Sequence, residues 1–237
     1  MHLILDIGNS HTKAAFFDGF QLIEYIQDDF ELLVLRCAHH RPERAMICET
    51  GKDEKTLTFV QQQMPFLCYH PGLTHPIANA YATPATLGAD RIAGAVAAAA
   101  LFPDKPVLKL DFGSCNTIDF IDPRHGFMGG SISPGIQMRF RALHHFTQKL
   151  PEVSFASEEN PILTGQDTNS SIRSGVLQGI LVETDGFIDQ YRALYPQLEV
   201  VGTGGNAQWF VSRLKNKIFV RPYLVMEGLN RILQENA

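Results

Sequence analysis

Leu3-Ile4-Leu5-Asp6-Ile7-Gly8 and Val107-Leu108-Lys109-Leu110-Asp111-Phe112-Gly113 decide the fold, because each is an apolar, strand-like run that ends in Asp-x-Gly. Small polar residues follow both, Asn9-Ser10 in the first and Ser114-Cys115-Asn116-Thr117 in the second. A further strand-like run comes after each, Lys13 to Phe17 and Ile118 to Ile121. Strand, tight polar turn and strand therefore occur twice. The copies lie close to half the chain apart, which reads as a duplicated lobe with its boundary near Pro103 to Pro106 and lobes over 1–105 and 106–237.

Outward from these hairpins, Arg91 to Phe102, Ile136 to Leu150 and Ser170 to Leu194 carry apolar residues at three and four spacing and are predicted as helices. Leu198 to Val201 is predicted as a strand running into Gly202-Thr203-Gly204-Gly205, and Gly129 to Gly135 as a turn of small residues before the helix from Ile136. Alternating strands and helices give an α/β class.

Composition excludes several functions. The 237 residues suit two lobes sharing one interface, and 45% hydrophobic with 19% charged residues leaves no stretch too polar to fold. A net charge of −5 opposes a nucleic-acid partner, which needs dense Lys/Arg faces. Cys37, Cys48, Cys68 and Cys115 show neither CxxC pairing nor metal-ligand spacing, so a reducing compartment is expected. The start of the chain has no signal-peptide pattern, and Ile92 to Phe102 is far short of the ~20 residues that span a bilayer. A cytoplasmic protein without a membrane partner is expected.

In Asp6-Ile7-Gly8-Asn9-Ser10-His11-Thr12-Lys13, glycine lets the backbone approach a ligand, while Asn9, Ser10 and Thr12 supply donors for phosphate oxygens. No Walker sequence occurs, so this would be a hairpin phosphate loop, with Asp6 holding Mg²⁺ through water. An ordinary hairpin turn accounts for the same residues equally well. Lys13 could reach a phosphate or lie on the outer face of its strand. The second copy, around Asp111 and Ser114, offers another carboxylate for one polyphosphate. Thr203-Gly204-Gly205-Asn206-Ala207 leaves room for a base and ribose.

Together these segments resemble the two ribonuclease H-like lobes, with a cleft between them, of the ATPase superfamily of actin, sugar kinases and heat-shock chaperones. Asp6-Ile7-Gly8-Asn9-Ser10-x-x-Lys13, Gly88-Ala89-Asp90-Arg91, Asp111-x-Gly113-Ser114, Gly129-Gly130-x-Ile132-x-Pro134-Gly135, Thr203-Gly204-Gly205-x-Ala207 and Pro222-x-Leu224-x-x-x-Gly228-Leu229 resemble, in order, type III pantothenate kinases. The resemblance implies ATP-dependent phosphorylation of pantothenate to 4′-phosphopantothenate, the first step of coenzyme A synthesis. It implies Asp90 as catalytic base and an acceptor pocket on Tyr81, Gly88, Ala89, Asp90, Arg91 and Thr168. It also implies a monovalent cation, K⁺ or NH₄⁺, at Asp111, and nucleotide contacts at Ser114, Gly204 and Gly205. A homodimer whose neighbouring subunit helps to build the pocket follows from the same resemblance. Ser114-Cys115 stands where Thr-Ala is commoner in the family, which keeps the hydroxyl and loses a methyl.

Each residue has a plainer reading beside this one. Asp90 precedes a predicted helix, where Asp is a favoured N-cap. Thr168 could cap another helix, Tyr81 could be a packed aromatic, and Asp111 could be a second Mg²⁺-facing carboxylate. The Ala-rich run and the apolar helix around Val176 to Ile188 could line either an interface or a core. His39-His40 and His144-His145 are adjacent pairs, poor as bidentate metal ligands and expected at the surface. The competing functions are a kinase of this fold for another small hydroxyl or carboxylate compound, and a non-catalytic accessory or regulatory protein.

Overall fold

A computed structural model describes residues 1–8, 11–158 and 160–236, in two compact units. The first comprises Met1–Leu101, His125–Phe127 and Tyr223–Ala237, the second Phe102–Arg124 and Met128–Pro222. Beside the expected division at 105/106, the two units part at Leu101/Phe102. A three-residue segment and the last helix return to the first unit, because each finds its packing partners there.

The first unit is built on β1 (His2–Ile7), β2 (Thr12–Asp18), β3 (Gln21–Gln27), β4 (Arg44–Glu49) and β5 (Phe66–Cys68), in the order β3-β2-β1-β4-β5. β1 pairs antiparallel with β2 and parallel with β4. Both faces are covered, so β1 reads as a nearly continuous apolar run. Leu3, Leu5 and Ile7 pack with Leu33 and Cys37 of α1 (Phe30–His40) and Val60 of α2 (Glu54–Gln63). Ile4, Ala15, Phe17 and Met46 pack on the other face with α3 (Ala89–Leu101) and the closing helix Leu224–Glu235. Fully burying a side chain such as Phe16 or Phe17 contributes about 1.5–3 kcal/mol.

Ala-rich α3 is core of this unit. A Cβ on Gly228 of the closing helix would lie 1.8 Å from the Ala93 carbonyl oxygen, so the two backbones touch through the absence of a side chain.

The second unit repeats the plan with β6 (Val107–Phe112), β7 (Cys115–Asp122), β8 (Gly126–Pro134), β9 (Glu199–Thr203) and β10 (Phe219–Val220), ordered β8-β7-β6-β9-β10. Again a hairpin, β6 with β7, leads and a parallel strand, β9, flanks it. Leu108, Leu110, Phe112, Ile118 and Phe120 pack with Ile136 and Phe140 of α4 (Ile136–His145), Val176 and Ile180 of α5 (Thr168–Leu194), and Phe210 of α6 (Ala207–Val211). The closing helix, Leu224–Glu235, is α7.

Three expectations change. Gly129 to Pro134 belongs to strand β8, where a Cβ on Gly130 would lie 1.8 Å from the Ile118 carbonyl oxygen: strand crowding, not a turn, demands glycine there. α4 ends at His145 rather than Leu150, since the Phe146 amide closes on Ala142 and the Thr147 hydroxyl donates to the Leu143 carbonyl. His40 is half-buried, bonded to Glu24 at 2.9 Å and packed on Phe16, so it is not a simple surface residue.

Candidate active site

The first unit gathers charge at the end of β1. Asp6 shares the face of Ile4, with Lys13 opposite in β2 and Cys48 opposite in β4. The Lys13 ammonium lies 3.5 Å from Asp6 Oδ2, so Lys13 faces inward across the hairpin, and the outer-face reading is corrected. Asp6 is only 13% exposed, and burial raises its pKa first of all. Lys13 opposes that rise, while the negative charge of Asp90 adds to it. Burial, with Asp6 and Asp90 helping, pushes the Cys48 thiol up to about 12. Burial likewise raises Tyr25 and Tyr69 to about 12, so these hydroxyls and the Cys48 thiol stay protonated at neutral pH.

Asp90 lies within the first turn of α3. The Gly88 carbonyl accepts from the Arg91 amide at 3.1 Å and the Ile92 amide at 3.2 Å, so the helix begins before Asp90 and the N-cap reading is corrected. A Cβ on Gly88 would sit 2.5 Å from Asp90 Oδ1. Glycine there leaves the carboxylate room to fold back over the backbone, while Asp90 stays exposed. Ala89 and Arg91 point inward. Ala89 joins the core between sheet and α7, and Arg91, 5% exposed, sets its guanidinium 5.6 Å from the ring centres of both Tyr81 and Phe127. Tyr81 is held by its amide bond to Asn79 and by edge-on contact with Phe127, itself pinned by hydrogen bonds to Ala78 and Ala80.

Gly8 closes the first turn through its amide bond to the His11 carbonyl, 3.0 Å. Asn9 and Ser10 lie outside the described residues. Thr12 gives its hydroxyl proton to Asp53 at 2.8 Å, and its amide bonds Asp28, so it ties the hairpin to the N-cap of α2.

The second unit carries Asp111 on β6, opposite Thr117 and Thr203. Gly204 adopts φ +92, and a Cβ there would lie 2.5 Å from Asp111 Oδ1 and 2.7 Å from Phe112 backbone atoms. Gly205 beside it is exposed, and a Cβ added there would meet nothing within 4 Å. Ser114 is exposed in the β6–β7 turn, and its carbonyl accepts from the Gly135 amide. Asn116 next to that turn is buried with an amide oxygen that has no hydrogen-bond partner. Sequence reasoning missed Lys109, which is fully buried and lies 3.9 Å from Asp111 Oδ2. A lysine inside an apolar strand run was the available signal.

Thr168 opens α5 but does not cap it. Asp167 is the cap, in a reciprocal capping box with Ser170, which leaves the exposed Thr168 side chain for other use. Thr168 lines a groove of about 1010 Å³ with Pro134, Arg139, Phe146, Gln166 and Val176, roomy enough for a small organic acid. Arg139 is held there by Glu183 at 2.7 Å. Asp6, Lys13 and Asp90 thus assemble in the first unit, and Asp111 with Gly204 in the second.

Residues 2–190 match the family model described as type III pantothenate kinase. A type III pantothenate kinase of Phocaeicola vulgatus is 42% identical over 243 residues, covering 100% of this chain and 99% of the relative. One from Cytophaga hutchinsonii is 43% identical over 240 residues and covers both chains completely, 100% of each. Among solved structures, a conserved Campylobacter jejuni protein described as of the Baf family of transcriptional activators matches with TM-score 0.61 at 23% identity, over 99% of this chain and 98% of its own. An Arthrobacter polyphosphate/ATP-glucomannokinase matches with TM-score 0.50 at 11% identity, over 99% of this chain and 100% of its own. At such identities the structures show the fold alone, the duplicated α/β lobes of sugar kinases.

Proposed function

Because this chain belongs to the type III pantothenate kinase family, we propose that it transfers the γ-phosphoryl group of ATP to the primary hydroxyl of pantothenate, giving 4′-phosphopantothenate for coenzyme A synthesis. The observation that carries the reading is the buried Asp6, with the Lys13 ammonium 3.5 Å from its carboxylate, on the sheet face against which α3 packs, the helix that carries the exposed Asp90 in its first turn. Asp90 receives or orients the acceptor hydroxyl. Phosphoryl transfer passes through a loose transition state in most analyses, so aiming that oxygen in line matters more than full deprotonation.

The donor set fits Mg²⁺. Two carboxylates that repel one another favour a cation, and Mg²⁺ usually takes one or two carboxylates with waters and phosphates. Asp6 would hold the ion through water, and the ion would supply charge neutralisation on the β- and γ-phosphates. Lys13 offers a further positive charge at the same strand end. The monovalent cation expected at Asp111 fits less well, since the Lys109 ammonium already flanks that carboxylate at 3.9 Å.

For the acceptor, Arg91, Tyr81 and the Gly88 backbone suit a carboxylate and an amide, and Thr168 suits a hydroxyl. Ser114, Gly204 and Gly205 suit the nucleotide, where open backbone beside Gly205 leaves room for a flat group. A homodimer is supported by α5, on which Gly175, Gly179, Val182 and Gly186 fall on one face, with Val182 68% exposed and nothing near the glycines. No helix among the described residues is long and apolar enough to cross a membrane, and we place the enzyme in the cytoplasm.

The test is ADP release with and without pantothenate in wild type and Asp90→Asn. The variant should bind ATP and lose at least about 100-fold in kcat, the lower range for a general acid–base group. Full turnover in a folded Asp90→Asn protein would remove Asp90 from the chemistry, and no pantothenate-dependent ADP in wild type would remove the substrate.

A further inference from the structure

Lys109 interrupts the apolar run of β6, yet it has no accessible surface. An ammonium is almost never fully buried unless paired, and a buried ion pair is a poor source of stability, since apolar replacements of similar volume are often neutral or better. A lysine in this position needs a use other than holding the sheet together.

Its surroundings show one. The ammonium lies 3.0 Å from Asp119 Oδ2 and 3.4 Å from the Thr117 hydroxyl, which itself donates to Asp119 at 3.3 Å. Register explains the group: Lys109 opposes Asp119 and Asp111 opposes Thr117, so all four stand on one face of the β6–β7 ladder. Leu108, Leu110 and Phe112 take the other face and form the apolar core. Asp119 and Thr117 hold the ammonium in place, and its second carboxylate, Asp111 Oδ2, is 3.9 Å away. The other oxygen, Asp111 Oδ1, looks toward Gly204, where a Cβ would come within 2.5 Å. The carboxylate is therefore fixed from two sides, by a tethered cation and by a close backbone.

We propose that Lys109 is a built-in cation that positions Asp111 and takes the part of the monovalent ion expected beside it, so that nucleotide binding here depends little on potassium or ammonium. The inference rests on the reading of Asp111 as a carboxylate near the nucleotide phosphates. Lys109 already brings one positive charge to within 3.9 Å of Asp111 Oδ2, so a second cation at the same carboxylate would meet repulsion from the first. Lys109 acts through Asp111 and is a positioning residue.

The experiment compares wild type, Lys109→Met and Lys109→Met/Asp119→Asn. The double variant removes both buried charges and so avoids stranding Asp119 if the single variant fails to fold. ATP affinity is measured by titration calorimetry in potassium chloride and in tetramethylammonium chloride at equal ionic strength, and thermal midpoints are read in both salts without nucleotide. The wild-type Kd should change less than about threefold between salts, whereas the folded variants should weaken about tenfold or more in tetramethylammonium and regain most of that in potassium, a difference of about 1.4 kcal/mol. Lys109→Met should also melt higher in potassium, as the ion takes the vacated place, while wild type should not. Variants that bind ATP equally in both salts, or a wild type that itself loses tenfold without potassium, would overturn the role of Lys109. Adding Asp111→Asn to Lys109→Met should abolish the potassium response. If the response survives, the reading of Asp111 fails, whereas pantothenate-dependent turnover of wild type reports on the kinase activity separately.

Discussion

Gly204 and Gly205 are neighbours in one turn, yet only the first is required for folding, and alanine at each position separates the two. At Gly204 the backbone has φ +92, and a Cβ would fall 2.5 Å from Asp111 Oδ1 and 2.7 Å from the Phe112 nitrogen and carbonyl carbon. Strained backbone of this kind costs about 1–3 kcal/mol, and overpacking against backbone that cannot rotate away costs about another 1–3 kcal/mol. At Gly205 a Cβ meets nothing within 4 Å, and φ is not in the left-handed region, so neither cost applies. For a chain of this size each kcal/mol moves the melting temperature by about 2–4 °C, which predicts a fall of about 4–24 °C for Gly204→Ala and within about 2 °C of wild type for Gly205→Ala. Differential scanning calorimetry reads both. ATP titration on the same samples should show weaker binding for Gly205→Ala despite intact stability, because its methyl would enter space assigned to the nucleotide. Equal melting temperatures for the two variants would refute the packing argument at Asp111.

Asp6 has a raised pKa in the folded protein, from burial before all else, so the folded state holds that proton more tightly than the unfolded chain. Its ionisation costs stability as pH rises from 3.8 through the folded value, and Asp6→Asn should melt higher than wild type at pH 7 and no higher at pH 3, while losing turnover. A stability gain that is the same at both pH values would contradict the burial argument. Gly228→Ala drives a methyl to 1.8 Å from the Ala93 carbonyl oxygen, so α3 and α7 must part, and urea unfolding should show at least about 2 kcal/mol lost. On α5, Gly179→Glu should leave folding intact and, by light scattering, shift a dimer toward monomer; an unchanged mass would place the interface elsewhere.

Much of this protein is legible locally. The Asp-x-Gly echo foretells two hairpins because a short apolar run and a glycine turn are properties of a few adjacent residues, and Asp6 and Asp111 stand at matching places in β1 and β6. Asp90 was legible as a residue near a helix start but not as one inside the first turn, since the start is set by the Gly88 carbonyl. Gly130 was legible as a position that needs glycine, and the reason was not: the Ile118 backbone that crowds it arrives from a neighbouring strand. Phe127, which packs beside Arg91 and Tyr81, sits far from both in sequence and gave no local sign.

By itself the amino-acid order determined the fold class, the duplication, the order of the motifs and the residue types available for phosphate chemistry, because each depends on short-range periodicity and side-chain character. Only the tertiary structure decided which charges meet. Lys13 became the partner of Asp6, and Lys109 of Asp119 and Asp111, through cross-strand register, and α7 joined the first unit through a glycine that fits only against Ala93. Contacts of that kind join residues whose separation along the chain is large, and their energies come from burial and distance, which no local window of sequence contains.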